Sequence, residues 1–478
     1  MINKVYDEKM AAWLEKNRET ILQKWMELVR IPSVQTAAMP NAPFGEACAQ
    51  ALMTATRNLK EIGLDVKLNK ADGYAVAEYG DSEKCIGLFG HSDVVPAGDG
   101  WIYTTPFDPI IRDGWIIGRG SRDNKSGVMA TWCILAMLKE LQIPLKNRLQ
   151  VFIGSNEESG MKDVEAYVRN ETQPDLALVP DSSFPCGLGE KGILRMWAQC
   201  NTPLEAVLDM HGGNAFNTVL DRVDSVLAVN DTLVTKLQEK CLKESRCTLS
   251  IQTDGTVHIT ANGISKHAAY PDNSLNATWL LTSLLSSCED LPQNDRKCLQ
   301  TVAEHLRGYW GEGLGIAHQD PDFGALTCSN GMVKVENGHL MVSLDIRYGV
   351  TCDPKELERK LYIAWEQAGW TITYMENNPG YSSDPQSPYA IKMKAIAEEM
   401  TGQEMKFYRM PGGTYGRYLK TAFPIGVTAT HADRTPSNLE LPAGHGSAHQ
   451  RDEAVDIESF FLGVRILAQD ILACDSML

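Results

Sequence analysis

The sequence predicts an α/β fold: a doubly wound, mostly parallel sheet, interrupted by an inserted α+β domain. Three observations carry this expectation. Short, mostly apolar runs at 85–89, 149–154 and 176–179, the first uniformly so, have the composition of parallel strands buried on both faces. They alternate with segments of helical periodicity, in a β-α-β-α-β succession. After Pro185 the strand-like runs become amphipathic, and from about residue 378 the first character returns. The expected boundaries are therefore 1–186 and 379–478 for the two parts of the first domain, and 187–378 for the insertion.

Taken in order, residues 7–30 place Trp13, Ile21, Leu22, Trp25 and Val29 at helical spacing, and 45–62 form a second amphipathic helix. Strands follow at 65–68, 74–78 and 85–89. A Gly- and Pro-rich stretch then leads into a helix over 125–141. The strand at 149–154, a helix near 163–170 and the strand at 176–179 complete the alternation. In the insertion, Asn337-Gly338 separates two strand-like runs and predicts a tight type I′ hairpin. Helices are expected near 275–287 and 354–368, then at 389–400 and 456–473 after the return. A Gly-rich turn, M-P-G-G-T-Y-G-R, occupies 410–417.

Composition bounds the function. A chain of 478 residues with 43% hydrophobic and 22% charged residues has material for two domains and an ample core. A formal charge of −16 argues against a nonspecific grip on nucleic acid or anionic lipid, since both require a basic face. No apolar run is long enough to span a bilayer. The first residues, M-I-N-K-V-Y-D-E-K, lack the apolar centre of a signal peptide, and the twelve cysteines include no C-x-x-C pair. Reduced thiols in a cytoplasmic protein are expected.

Chemistry enters at the strand ends. The run L-F-G-H-S-D closes on His91, the run V-F-I-G-S-N opens onto Glu157 and Glu158, and L-A-L-V-P ends at Asp181. In open α/β sheets, ligands collect beyond the carboxyl ends of parallel strands, so these groups should converge. Asp123 stands just before a predicted helix and His449 just before the last one. Two imidazoles and three carboxylates (His91, Asp123, Glu158, Asp181 and His449), with no thiolate, suit zinc, manganese or cobalt. Five ligands exceed one ordinary catalytic zinc site, and two metal ions sharing a carboxylate form a hydrolytic device. Glu157, adjacent to a ligand, is placed to act as a base. Each residue also has a plainer role: an N-cap for Asp123, a solvated helix start for the Glu157-Glu158 pair, a hydrogen-bonded core position for His91.

The ordered motifs G-H-S-D-V-V-P at 90–96, G-R-G-S-R-D-N-K-S-G at 118–127, N-E-E-S-G at 156–160, P-D-S-S-F-P at 180–185 and H-Q-R-D-E at 449–453 resemble the cocatalytic zinc peptidases. That family includes aminoacylase, carnosinase, succinyl-diaminopimelate desuccinylase and dipeptidases of the PepV type. The resemblance covers nearly the whole chain. It implies that Asp123 bridges two metal ions, with His91 and Asp181 completing one site and Glu158 and His449 the other. It further implies that Glu157 is the general base, that Asp93 orients His91, and that the peptide bond after Asp123 is cis. In the insertion it points to His267 as an oxyanion stabiliser, and to Asn217 and Arg347 as substrate contacts. The turn at Gly413 and Thr414 would offer donors to a substrate carboxylate. Ser126 departs from the glycine of many relatives, and His445 competes with His449, which is preferred because the acidic pair follows it. The segment G-G-N-A-F-N-T-V resembles the PepV branch, in which an enlarged lid does the work of a partner subunit. The implied protein is a monomeric dinuclear dipeptidase acting on small unblocked peptides, its lid closing over the substrate. An N-acyl amino acid deacylase and a silent binding protein on the same fold are the alternatives.

Overall fold

The computed structural model describes residues 2–435 and 438–478. The chain divides into two compact units. The first comprises residues 1–189, 383–408 and 414–478, and the second comprises 190–382 and 409–413.

The first unit is built on a six-stranded sheet. Its spatial order is Val66–Asn69, Tyr74–Tyr79, Arg148–Gly154, Cys85–His91, Leu176–Ser182 and Ala422–Gly426. The last four strands are mutually parallel, and the first two attach antiparallel at one edge. Helices cover both faces, which explains the largely apolar sequence of the central strands. Alternate side chains serve two different cores. Ile86, Leu88, Leu149, Val151 and Leu176 pack toward the helices Arg18–Val29, Lys125–Glu140 and Ile457–Met477. Phe89, Phe152, Ala177 and Val179 face the opposite way, against Tyr167 of the helix Lys162–Asn170 and against Tyr415. Both sets are buried. The doubly wound sheet expected from the sequence is therefore present, with an antiparallel edge.

The periodicity over 7–30 predicted one helix, and the structure has two, Lys4–Lys16 and Arg18–Val29. Asn17 separates them. Its backbone N–H and its side-chain amide both donate to the Trp13 carbonyl, at 3.0 and 2.9 Å, so the side chain competes locally with the helical ladder.

The second unit is a nine-stranded antiparallel sheet with helices. The hairpin expected at Asn337-Gly338 joins Val333–Glu336 to His339–Tyr348, and both turn residues have positive φ (52° and 79°), as a type I′ turn requires. Periodicity located the helices Ala277–Ser286 and Pro354–Gln367 but not Asp231–Lys243 or Gln293–His305. Those two bury few apolar side chains among many polar ones, and the stripe is too thin to read from sequence.

Among the described residues, no helix is long and apolar enough to cross a membrane. All twelve cysteines are free thiols, and all but Cys352 are buried.

Candidate metal centre

Parallel pairing aligns His91 with Gly154, so the chain leaving the second of these strands runs directly past the imidazole. Residues 155–158 form that exit, and Asp181 comes from the adjacent parallel strand. The short segment before the helix Lys125–Glu140 supplies Asp123, and the segment before the last helix supplies His449. All six chemistry-bearing residues of the strand ends and loops lie within the first unit, and the structure brings them together.

Asp123 sits between two imidazoles. Its Oδ1 is 3.2 Å from His91 Nε2, and its Oδ2 is 3.1 Å from His449 Nε2. Asp181 Oδ2 lies 3.5 Å and Glu157 Oε2 3.9 Å from His91 Nε2. Glu158 Oε2 lies 3.1 Å from His449 Nε2. Two sets of three donor atoms, from His91, Asp123 and Glu158 and from His91, Glu157 and Asp181, are close enough to hold a metal ion. His445, the competing histidine, is turned away and pairs through Nδ1 with Asp452 Oδ2 at 2.6 Å. His449 itself has φ 64°, the left-handed region.

Asp93 lies behind the cluster. Its Oδ1 is 3.3 Å from His91 Nδ1 and accepts the N–H of Glu157 at 3.1 Å, while Oδ2 accepts the N–H of Glu158 at 3.1 Å. Asp93 thus meets the ring, whose Nδ1 also lies 3.1 Å from the Asp93 carbonyl oxygen, while its carboxylate holds the loop that carries two acids. The peptide bond between Asp123 and Asn124 is cis. Neither plainer role suggested by the sequence applies to the acids: the N-cap position of the 125–140 helix is Asn124, and the helix after Glu158 begins only at Lys162.

The donor set fits divalent cations. Four carboxylates meet two imidazoles here, and burial raises the energy of that negative charge. Burial pushes Glu158 up to about 7 and Asp181 up to about 6, and Asp123 adds to both by like-charge repulsion. Burial likewise raises the Glu157 carboxyl well above the usual range. Burial opposes the charged form of His449, but Glu158 and Asp123 outweigh it and raise the imidazole to about 12. Burial would also raise Asp123, yet His449 and His91 hold it below the usual carboxylate range. His91 Nε2 and Glu157 Oε1 are buried and make no hydrogen bond among the described residues, as expected for atoms aimed at a ligand. Oxygen and imidazole donors without sulfur suit zinc, manganese or cobalt.

Several supporting residues escaped the sequence reading. The Asn124 side-chain amide donates to Pro180 O at 2.7 Å and to Asp181 Oδ1 at 2.8 Å, while its oxygen accepts the His91 N–H at 3.3 Å. Arg119 and Glu453, both buried, pair at 2.6 Å. The acidic pair in H-Q-R-D-E was the only signal pointing at Glu453.

The remaining candidates belong largely to the second unit. Asn217 O accepts the Ala268 N–H at 2.9 Å, which sets Asn217 beside exposed His267. Arg347 is buried and gripped by Asp345, with Nη2 to Oδ2 at 3.0 Å, and its Nη1 donates to Pro411 O at 3.4 Å. Gly413 is the last residue of that unit's short second segment. Thr414 opens the next segment of the first unit, where its hydroxyl oxygen accepts the Gly416 N–H at 3.1 Å.

The chain is 28% identical over 469 residues to a protein of Bacillus subtilis (strain 168) named "Putative dipeptidase YtjP", covering 95% of this chain and 97% of that one. Among solved structures, its fold resembles the di-peptidase Dug1p of Saccharomyces cerevisiae, with TM-score 0.60, 14% identity and 98% of each chain covered. It also resembles human carnosine dipeptidase 1, with TM-score 0.59, 16% identity, and 98% and 99% covered. Residues 87–473 span every strand-end acid and both histidines of the cluster, and they match throughout: the chain belongs to the peptidase family M20/M25/M40.

Proposed function

We propose that this protein is a dinuclear metal-dependent dipeptidase of the PepV type, hydrolysing the peptide bond of small unblocked dipeptides. The observation that carries the reading is the placement of Asp123, whose two oxygens face His91 on one side and His449 on the other. A carboxylate so shared is what a pair of metal ions needs from a bridging ligand. In this reading His91, Asp123 and Asp181 would hold one ion, and Asp123, Glu158 and His449 would hold the other. When bound, the ions supply Lewis-acid polarisation and lower the pKa of water.

Glu157 takes the proton of the attacking water and delivers it to the leaving amine. Its environment supports that role, because a carboxyl raised by burial is a better base near neutral pH than an ordinary one. Asp93 holds the His91 ring and the Glu157 backbone in register. From the second unit, His267 serves as the oxyanion donor. Asn217 and Arg347 are substrate contacts, Arg347 as the clamp for a carboxylate, with Gly413 and Thr414 assisting. Dipeptidases among the relatives and fold neighbours favour this substrate class over acylated amino acids.

The test is hydrolysis by metal-stripped protein restored separately with zinc, manganese or cobalt, against dipeptides, tripeptides and N-acyl amino acids. Metal-restored cleavage centred on unblocked dipeptides is expected. Preference for N-acyl amino acids would replace the dipeptidase reading with deacylation. No turnover with any ion would leave a binding protein.

A further inference from the structure

We propose that Tyr415 is a positioning residue for the loop carrying Glu157 and Glu158, acting through Asp163. The proposal rests on the assignment of Glu157 as the base. Tyr415 and Asp163 are 252 positions apart, both buried, and joined by a hydrogen bond of 2.6 Å from the phenol to Oδ2. That same oxygen accepts the N–H groups of Ser155 at 2.7 Å and Asn156 at 2.8 Å. Asp163 Oδ1 is engaged by the Val164 N–H at 2.7 Å. One carboxylate oxygen therefore anchors the first two residues of the exit loop, and the phenol is its third donor.

The pair stands where only glycine leaves room. A Cβ on Gly154 would fall 1.9 Å from the Tyr415 hydroxyl oxygen and 2.3 Å from Asp163 Oδ2. Gly154 is the strand partner of His91, so the phenol is packed into the floor of the site at the level of the imidazole. The Tyr415 ring also meets the His91 ring edge-on, with centroids 6.2 Å apart, and that of Phe152 at 5.2 Å. Both the loop and the histidine thus rest on one side chain. Tyr415 begins a short 3-10 helix, Tyr415–Tyr418, immediately after the Gly-rich turn at 412–414. Its hydroxyl donates to Asp163 and not to an acid of the cluster, which separates positioning from chemistry.

The experiment compares the metal-loaded wild type with Tyr415→Phe, which deletes only the hydroxyl. Tyr418→Phe is the control, because Tyr418 donates to Glu165 at 3.1 Å from the same 3-10 helix. Readouts are kcat and KM for alanylalanine, metal content, and amide hydrogen exchange at Ser155 and Asn156. Tyr415→Phe should lower kcat about 10- to 100-fold with KM within about twofold, retain its metal, and exchange faster at those two amides. Tyr418→Phe should match the wild type. Gly154→Ala reaches the same contact from the other side and should reproduce the kcat loss, with the double variant no worse than either single one. Wild-type kcat and amide protection in Tyr415→Phe would overturn the proposal, as would an equal loss in Tyr418→Phe. If the wild type cleaves no dipeptide, the dipeptidase reading fails by itself, and the exchange comparison still decides the role of Tyr415.

Discussion

Glu453 Oε1 accepts the backbone N–H of Asp123 at 2.9 Å, so the acid that lies between the two imidazoles is held from a residue 330 positions later. The same oxygen takes the Arg122 N–H at 2.8 Å, and Oε2 takes the Gly120 N–H at 3.1 Å and Arg119 Nη1 at 2.6 Å. Replacing Glu453 by Gln would leave the Arg119 guanidinium buried without a counter-charge. Breaking such a pair from one side costs about 3 to 5 kcal/mol. Urea unfolding of Glu453→Gln should show a markedly lower midpoint together with reduced metal content, and an unchanged midpoint would contradict this account.

Glu157→Gln keeps the shape and size of the side chain but removes the proposed base. Turnover should fall by about two to four orders of magnitude while both metal ions stay bound. Metal analysis alongside single-turnover kinetics checks this. Loss of metal in the variant would make Glu157 a ligand instead.

Asp93→Asn probes the support behind His91. The amide can accept only on one atom, whereas the carboxylate meets His91 and two backbone N–H groups. Carboxylates behind ligating imidazoles are worth about 10- to 100-fold in metal affinity or activity. Competition against a chelator should reveal a loss of that size, and wild-type affinity would remove Asp93 from the site.

The metal-free protein should bind metal more tightly as pH rises. His449 is raised in the folded state, so the stability it contributes is fully present below its unfolded value of roughly 6.5 and is lost as pH climbs toward its folded value of about 12. Glu158 at about 7 and Asp181 at about 6 are raised mainly by burial, so each increasingly destabilises the empty fold as pH rises from its unfolded value to its folded one. Cations bind the deprotonated groups and relieve that penalty. Between about pH 5.5 and about pH 7.5, zinc affinity and the rise in Tm on adding zinc should both increase, with protons released. Titration calorimetry in buffers of different ionisation enthalpy measures the release. A flat profile would mean that these groups do not hold the metal.

Whatever repeats locally or ends abruptly could be read from the residues alone. Mostly apolar strands alternating with amphipathic helices announced a sheet covered on both faces, because a strand buried twice has no polar side to show. His91 and acids at the ends of those strands announced convergence, because parallel strands deliver their carboxyl ends to one edge. Asn337-Gly338 announced its hairpin through the positive φ that both positions require. Asp93 apart, the polar residues that stand behind the site emerged only on folding. Asp163, Asn124, Arg119 and Tyr415 look in sequence like an acid near a helix start, a helix cap, a loop cation and an aromatic in a turn. Each owes its role to a partner that it meets only after folding: a 2.6 Å bond between residues 163 and 415, or between 119 and 453, leaves no periodic trace. A ligand can be recognised from its own chemistry, but a supporting residue is defined by what lies next to it, and that adjacency is created by packing.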